Sequence, residues 1–183
     1  KILDDMGENT LEHVNAKELG FKLAEDEVNI GFKRVKDDFR VNIFYYNIKY
    51  WTDFILFNFL MDRGAGHQLE DTFHSSYMPW KRSIETIYKE EVMHLAHGDK
   101  WIKILSEDPK EKEFLQQRLN LWWPRVMNVF GNTKGRANDI YVRLGLKKRT
   151  NAQVRDAFVA EIKVLCDRHD LEVPFYDEMA QPV

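Results

Sequence analysis

Three features of this 183-residue chain predict an all-α fold, an antiparallel bundle of long helices. Gly and Pro are sparse, nine and five in all, and they fall mostly between long stretches of helical apolar periodicity. Helix-start signals stand where those stretches open: Pro79, Asp108-Pro109 and the Thr150–Gln153 capping box. The one locally strand-like run, "VNIFYYNIKYW", has no second strand to pair with and is expected to be a packed connector.

The elements follow in order. Residues 1–19 have a helical pattern, with Gly20 as C-cap. The chain begins without an initiator Met and is expected to start inside a helix, so that the bundle's first helix is absent or truncated. "LAEDEVNIGFKRVKDDF" is a weaker, shorter helix or an irregular segment. A long helix is expected from Tyr50 to Phe73, apolar nearly all round its first half and hence buried. "SSYMP" is the turn, and the next helix runs to about Leu105. Asp108 caps a fourth helix that ends near Phe130-Gly131, with a kink expected at Pro124. "KGRANDIYVRLGL" gives a short helix, and the capping box opens a last one reaching Asp167. The tail, about 172–183, is expected to be extended, and residues 1–183 to form one domain.

Composition narrows the function classes. A net charge of −3 is too near neutral to argue for nucleic acid. The single cysteine, Cys166, excludes an intramolecular disulfide and a cysteine-based zinc site, in keeping with a cytoplasmic location. The longest apolar run, Phe54 to Met61, is broken by Asn58 and too short to span a bilayer, and no signal-peptide pattern is present.

The chemistry concentrates in "YKEEVMHLAHG". Residues three apart on a helix lie about 60° apart around its axis, so Glu91 and His94 can aim at one point. Alone, such a pair is more often a solvated face. Asp62 adds weight, because it ends a buried run where a carboxylate is costly unless paired or bound to a cation. A salt bridge to Arg63 or Arg82 is the plainer explanation. Asp62 and Glu91 flank the expected turn symmetrically, each about 14 to 15 residues or roughly 21–22 Å away, which sets them at one height on antiparallel helices. Near the start, Asp5 and Glu8 repeat the three-residue spacing, although an acidic exposed face explains them equally. Together Asp5, Glu8, Asp62, Glu91 and His94 would make an oxygen-rich site suited to iron or manganese. His13, His67, His74 and His97 are expected to be surface or packing residues.

With these residues in hand, the stretches "KEEVMHLAHG", "LNLWWPRVMNVFGN" and "KKRTNAQVRDAFVAEIKVL" resemble the phenylacetyl-CoA epoxidase family, the multicomponent ring-1,2-monooxygenases of phenylacetate degradation. The likeness covers about residues 1 to 175 and includes Trp122-Trp123-Pro124 and Phe130-Gly131. It implies a ferritin-like bundle and a di-iron centre, with manganese as the alternative metal. It also implies an aromatic acyl-CoA substrate, a separate reductase and a sister ferritin-like subunit. The family has a catalytic branch and a structural branch that has lost ligands. Asp62, Glu91 and His94 match the catalytic pattern, whereas Asp5 and Glu8 stand where Glu and His are expected, and the branch's earliest ligand would precede Lys1. Glu91 and Asp62 would then serve catalysis as ligands, and Phe57, Phe59, Leu60 and Met93 would keep the chamber dry. Lys147, Lys148 and Arg149, in a segment that also carries Lys134, Arg136 and Arg143, would receive the CoA phosphates, against the plainer reading of a solvated basic face.

Overall fold

The structure is a computed structural model and describes residues 41–176. The expectations for Asp5, Glu8, the helix over residues 1–19 and the segment after it fall outside the described residues. Within them the chain is an all-α bundle with no strand. A 3₁₀ turn at Asn42–Tyr45 leads into α1 (Trp51–Leu56), a π-helical segment (Phe57–Asp62) and α2 (Arg63–Thr72). There follow α3 (Met78–Glu107), α4 (Pro109–Met127), a 3₁₀ turn at Asn128–Phe130, α5 (Arg136–Arg143) and α6 (Asn151–Asp167).

The strand-like run before Trp51 is a packed connector: Ile43, Tyr45 and Tyr46 are buried in it. Its end is fixed by Asp53. That carboxylate, 0% exposed, accepts from the backbone N–H groups of Lys49 and Tyr50, at 3.0 and 3.1 Å. Across the core it takes Arg118 Nε at 2.6 Å and Trp122 Nε1 at 2.8 Å. A buried charge is tolerable only with such partners, so one acid joins the start of α1 to the middle of α4.

The expected helix from Tyr50 to Phe73 is present as one continuous rod, Trp51–Thr72, but its middle is π-helical. The hydrogen-bond register slips there, a feature that leaves no mark on apolar periodicity. α4 opens as expected: Asp108 Oδ1 accepts from the N–H groups of Lys110 and Glu111, at 2.8 and 3.2 Å, and Pro109 fills the first helical position. It continues α-helical past Pro124 to Met127 before tightening into the 3₁₀ turn. Thr150 and Gln153 cap α6 reciprocally. After Asp167 the chain turns and runs without helix to Tyr176.

The core lies where the rod, α4 and α6 meet. Trp122, Trp123, Phe59, Leu60 and Phe158 are buried there, with Trp123 stacked on Phe158 at 5.9 Å between ring centroids. Cys166 is buried in the same core, and its thiol is pushed up to about 12 by burial, which makes it inert as a nucleophile. None of the described helices is long and apolar enough to cross a membrane.

The buried anchor gives a stability prediction. Asp53→Ala removes the buried carboxylate that Arg118 and Trp122 share and should cost about 3–5 kcal/mol. Urea denaturation of the two proteins measures it, and a loss within about 0.5 kcal/mol, typical of surface changes, would contradict the anchoring role.

Candidate metal centre

The rod and α3 form an antiparallel hairpin around the turn before Met78, and this sets the candidate residues level. Asp62, Glu91 and His94 come together, each offering a ligand atom within 4.8 Å of the others. His94 Nδ1 lies 3.5 Å from Glu91 Oε2 and 3.8 Å from Asp62 Oδ2. The side chains of Asp62 and Glu91 are only 13% and 17% exposed, and that of His94 is 51% exposed. The site is therefore set into the wall of the bundle, with its imidazole at the rim.

The plainer explanation for Asp62 does not hold. The Arg63 guanidinium turns away from it, bonding Asp99, Glu161 and the Phe59 carbonyl. Asp62 instead accepts from Asn58 Nδ2 at 2.8 Å. Asn58 Oδ1 in turn faces His97 Nδ1 at 3.3 Å, a bond that requires a proton on that nitrogen. His97 packs edge-on against Trp51, where the sequence led us to expect only packing. Asn58 and His97 were thus missed as neighbours of the site. The available signal was Asn58 itself, a polar break in an apolar run one helical turn before Asp62.

Burial raises the Asp62 carboxyl above its ordinary value, while the Asn58 hydrogen bond and His94 pull it back. Burial also raises Glu91, and the Asp62 charge adds to this, against the lowering effect of His94. Glu91 Oε2 is buried, and His94 Nδ1, at 3.5 Å, stands too far off to give it a well-formed hydrogen bond. Two mutually repelling carboxylates, one imidazole and an orphaned oxygen fit a divalent first-row cation, which would be ligated by Asp62, Glu91 and His94.

The remaining expectations divide. Phe59 and Leu60 are buried, and Phe57 packs against the core, but Met93 is 71% exposed and walls no chamber among the described residues. Two of the three basic side chains, Lys147 and Arg149, are engaged elsewhere. Arg149 Nε bonds the buried Asp71 at 2.8 Å, and Lys147 Nζ bonds Asn138 and Asn151. Lys148 donates its backbone N–H to the Asp71 carbonyl at 3.3 Å. Asp71 lies nine residues beyond Asp62, roughly 14 Å along the helix. A CoA phosphate at Arg149 would have to displace a carboxylate.

The raised carboxyls fix a sign for pH dependence. Between their ordinary values of 3.8 and 4.5 and their raised folded values, the native state of metal-free protein binds more protons than the unfolded state. Stability contributed by this pair therefore rises as pH falls into that window. Glu161 acts oppositely. Held below its ordinary 4.5 by hydrogen bonds from His67 and Arg63, it contributes stability above that value and loses it as pH falls through the lowered one. Urea midpoints across pH should show the acid-side gain in the wild type and its loss in Asp62→Asn/Glu91→Gln. Parallel profiles for the two proteins would contradict the mutual strain.

Comparison with known proteins places the chain in a family. The family model described as phenylacetic acid catabolic protein matches residues 1–181. A curated relative from Escherichia coli (strain K12), named as a subunit of 1,2-phenylacetyl-CoA epoxidase, is 30% identical over 124 residues, 64% of this chain. The match spans 39% of that relative's length. The chain belongs to the phenylacetic acid catabolic protein family.

Proposed function

We propose that this protein is the oxygenase-type component of a multicomponent monooxygenase similar to phenylacetyl-CoA epoxidase, acting on an aromatic acyl-CoA. The observation that carries the reading is the convergence of Asp62, Glu91 and His94 around an orphaned buried oxygen in a member of this family. Asp62 and Glu91 would hold the metal through carboxylate oxygens and His94 through a ring nitrogen. Asp5 and Glu8, by the family resemblance, would supply the rest of the set. Bound iron, as a di-iron centre or with manganese in its place, would supply O₂ activation, one oxygen atom going to the substrate ring and the other leaving as water with two electrons and two protons. Asn58 fixes the free rotation of the Asp62 carboxylate by donating to Oδ2, and His97 fixes Asn58. Phe59 and Leu60, buried in the core on the rod that carries Asp62, would help to keep water from its inner side. Electrons come from a separate reductase, and a sister ferritin-like subunit completes the assembly.

A second reading, a non-catalytic structural subunit of the same kind of assembly, is favoured by one feature. Asp5 and Glu8 stand where the catalytic branch carries Glu and His, which changes the charge and donor type of half the set.

Glu91→Gln separates the two. In the catalytic reading, iron affinity and turnover with reductase and sister subunit both fall by about 100-fold or more, while far-UV circular dichroism is unchanged. Assembly and turnover equal to wild type would overturn the catalytic reading and establish the structural one.

A further inference from the structure

We propose that Arg63 is a positioning residue for the candidate centre: its guanidinium locks the π-helical turn that aims Asp62 at Glu91 and His94. The inference rests on the metal reading above. In an uninterrupted α-helix the backbone N–H of Arg63 donates to the carbonyl four residues back, that of Phe59. Here that N–H donates to the Leu60 carbonyl, three residues back, where the chain tightens at the end of the π-turn. The Phe59 carbonyl receives Arg63 Nη1 at 2.8 Å, so the side chain takes the place of its own backbone.

The rest of the guanidinium is fixed from two other helices. Nη2 reaches both oxygens of Asp99 on α3, at 2.8 and 3.0 Å. Nε donates to Glu161 Oε1 on α6 at 2.7 Å, and Glu161 Oε2 meets His67 Nε2 at 2.7 Å. The Phe59 ring lies beside the cation, 5.0 Å from its centroid. Arg63 itself is 4% exposed, so these bonds are made largely out of water. A planar fork can serve a carbonyl and two carboxylates at once, which an ammonium group cannot match in geometry.

A charge-free constraint acts at the same place. A Cβ at Gly98 would lie 2.9 Å from both the Cα and the backbone N of Phe59, closer than real Cβ atoms come. α3 therefore rests directly on the π-turn, and Asp99 follows at the point of contact. The consequence for Asp62 is angular. Each residue advances a helix by about 100°, so returning a one-residue π insertion to α register rotates the residues after it by about that much relative to those before it. Asp62 would swing away from Glu91 without the rod unfolding.

Arg63→Met, Arg63→Lys and Gly98→Ala test this in the full chain by two measurements. In metal-free protein, amide hydrogen exchange over residues 57–63 should rise in Arg63→Met and Gly98→Ala, and rise less in Arg63→Lys. Mn²⁺ affinity by calorimetry should fall about 10–100-fold in the first two, with partial recovery in Arg63→Lys and unchanged far-UV circular dichroism. Should Arg63→Met fail to fold, Arg63→Lys and Gly98→Ala carry the same comparison. Folded variants with wild-type exchange in this segment, or with wild-type Mn²⁺ affinity, would overturn the proposal. A wild-type protein that takes up no Mn²⁺ would overturn the metal reading, and the exchange result alone would then decide whether Arg63 locks the turn.

Discussion

Two carboxylates face each other in the wall of this bundle, and the architecture around them has to hold them there. Asp62 and Glu91 are mostly removed from water, and burial raises both carboxyls while the charge of Asp62 raises Glu91 further. The arrangement opposes itself unless a cation or a proton enters it. His94 offers partial relief from the rim, 3.5 and 3.8 Å from the two acids. Its neighbour Arg63, the nearest permanent cation in sequence to Asp62, is committed to Asp99 and Glu161. The fold thus places a ready counter-ion beside the pair and directs it elsewhere, leaving the pair open to a metal.

Rigidity on either side keeps the acids from separating. Upstream, Asp53 ties α1 to Arg118 and Trp122 of α4. Downstream, Asp71 ties the end of α2 to Arg149. The rod carrying Asp62 is pinned by a buried ion pair at one end and a half-buried one at the other, and pressed by Gly98 in the middle. Buried pairs of this kind are weak sources of net stability but strong determinants of register. That suits a segment that carries the Asp62 carboxylate beside Glu91.

Much of this was legible in the sequence, because the signals were local. The apolar runs and the caps at Asp108 and Thr150 marked the helices. Equal spacing from the turn was enough to set Asp62 and Glu91 level. The features that escaped were non-local or free of compositional trace. The π-turn alters hydrogen-bond register without altering which residues are apolar. The partners of Arg63 lie 36 and 98 residues away, and the carboxylate that holds Arg149 lies 78 away. From the sequence, Lys147, Lys148 and Arg149 look like a free basic cluster; in the fold, Lys147 and Arg149 are structural ties. Met93 is apolar and adjacent to a candidate ligand, yet it points to solvent, since apolarity alone does not say which face of a helix is covered.

The proposed chemistry depends on a metal held by Asp62, Glu91 and His94. Anomalous diffraction at the iron edge, from crystals of protein loaded anaerobically with Fe²⁺, tests it most directly. A metal held there gives a strong anomalous peak bounded by one carboxylate oxygen of Asp62, one of Glu91 and a ring nitrogen of His94. Saturating iron with no peak there, and the three side chains turned apart, would contradict it.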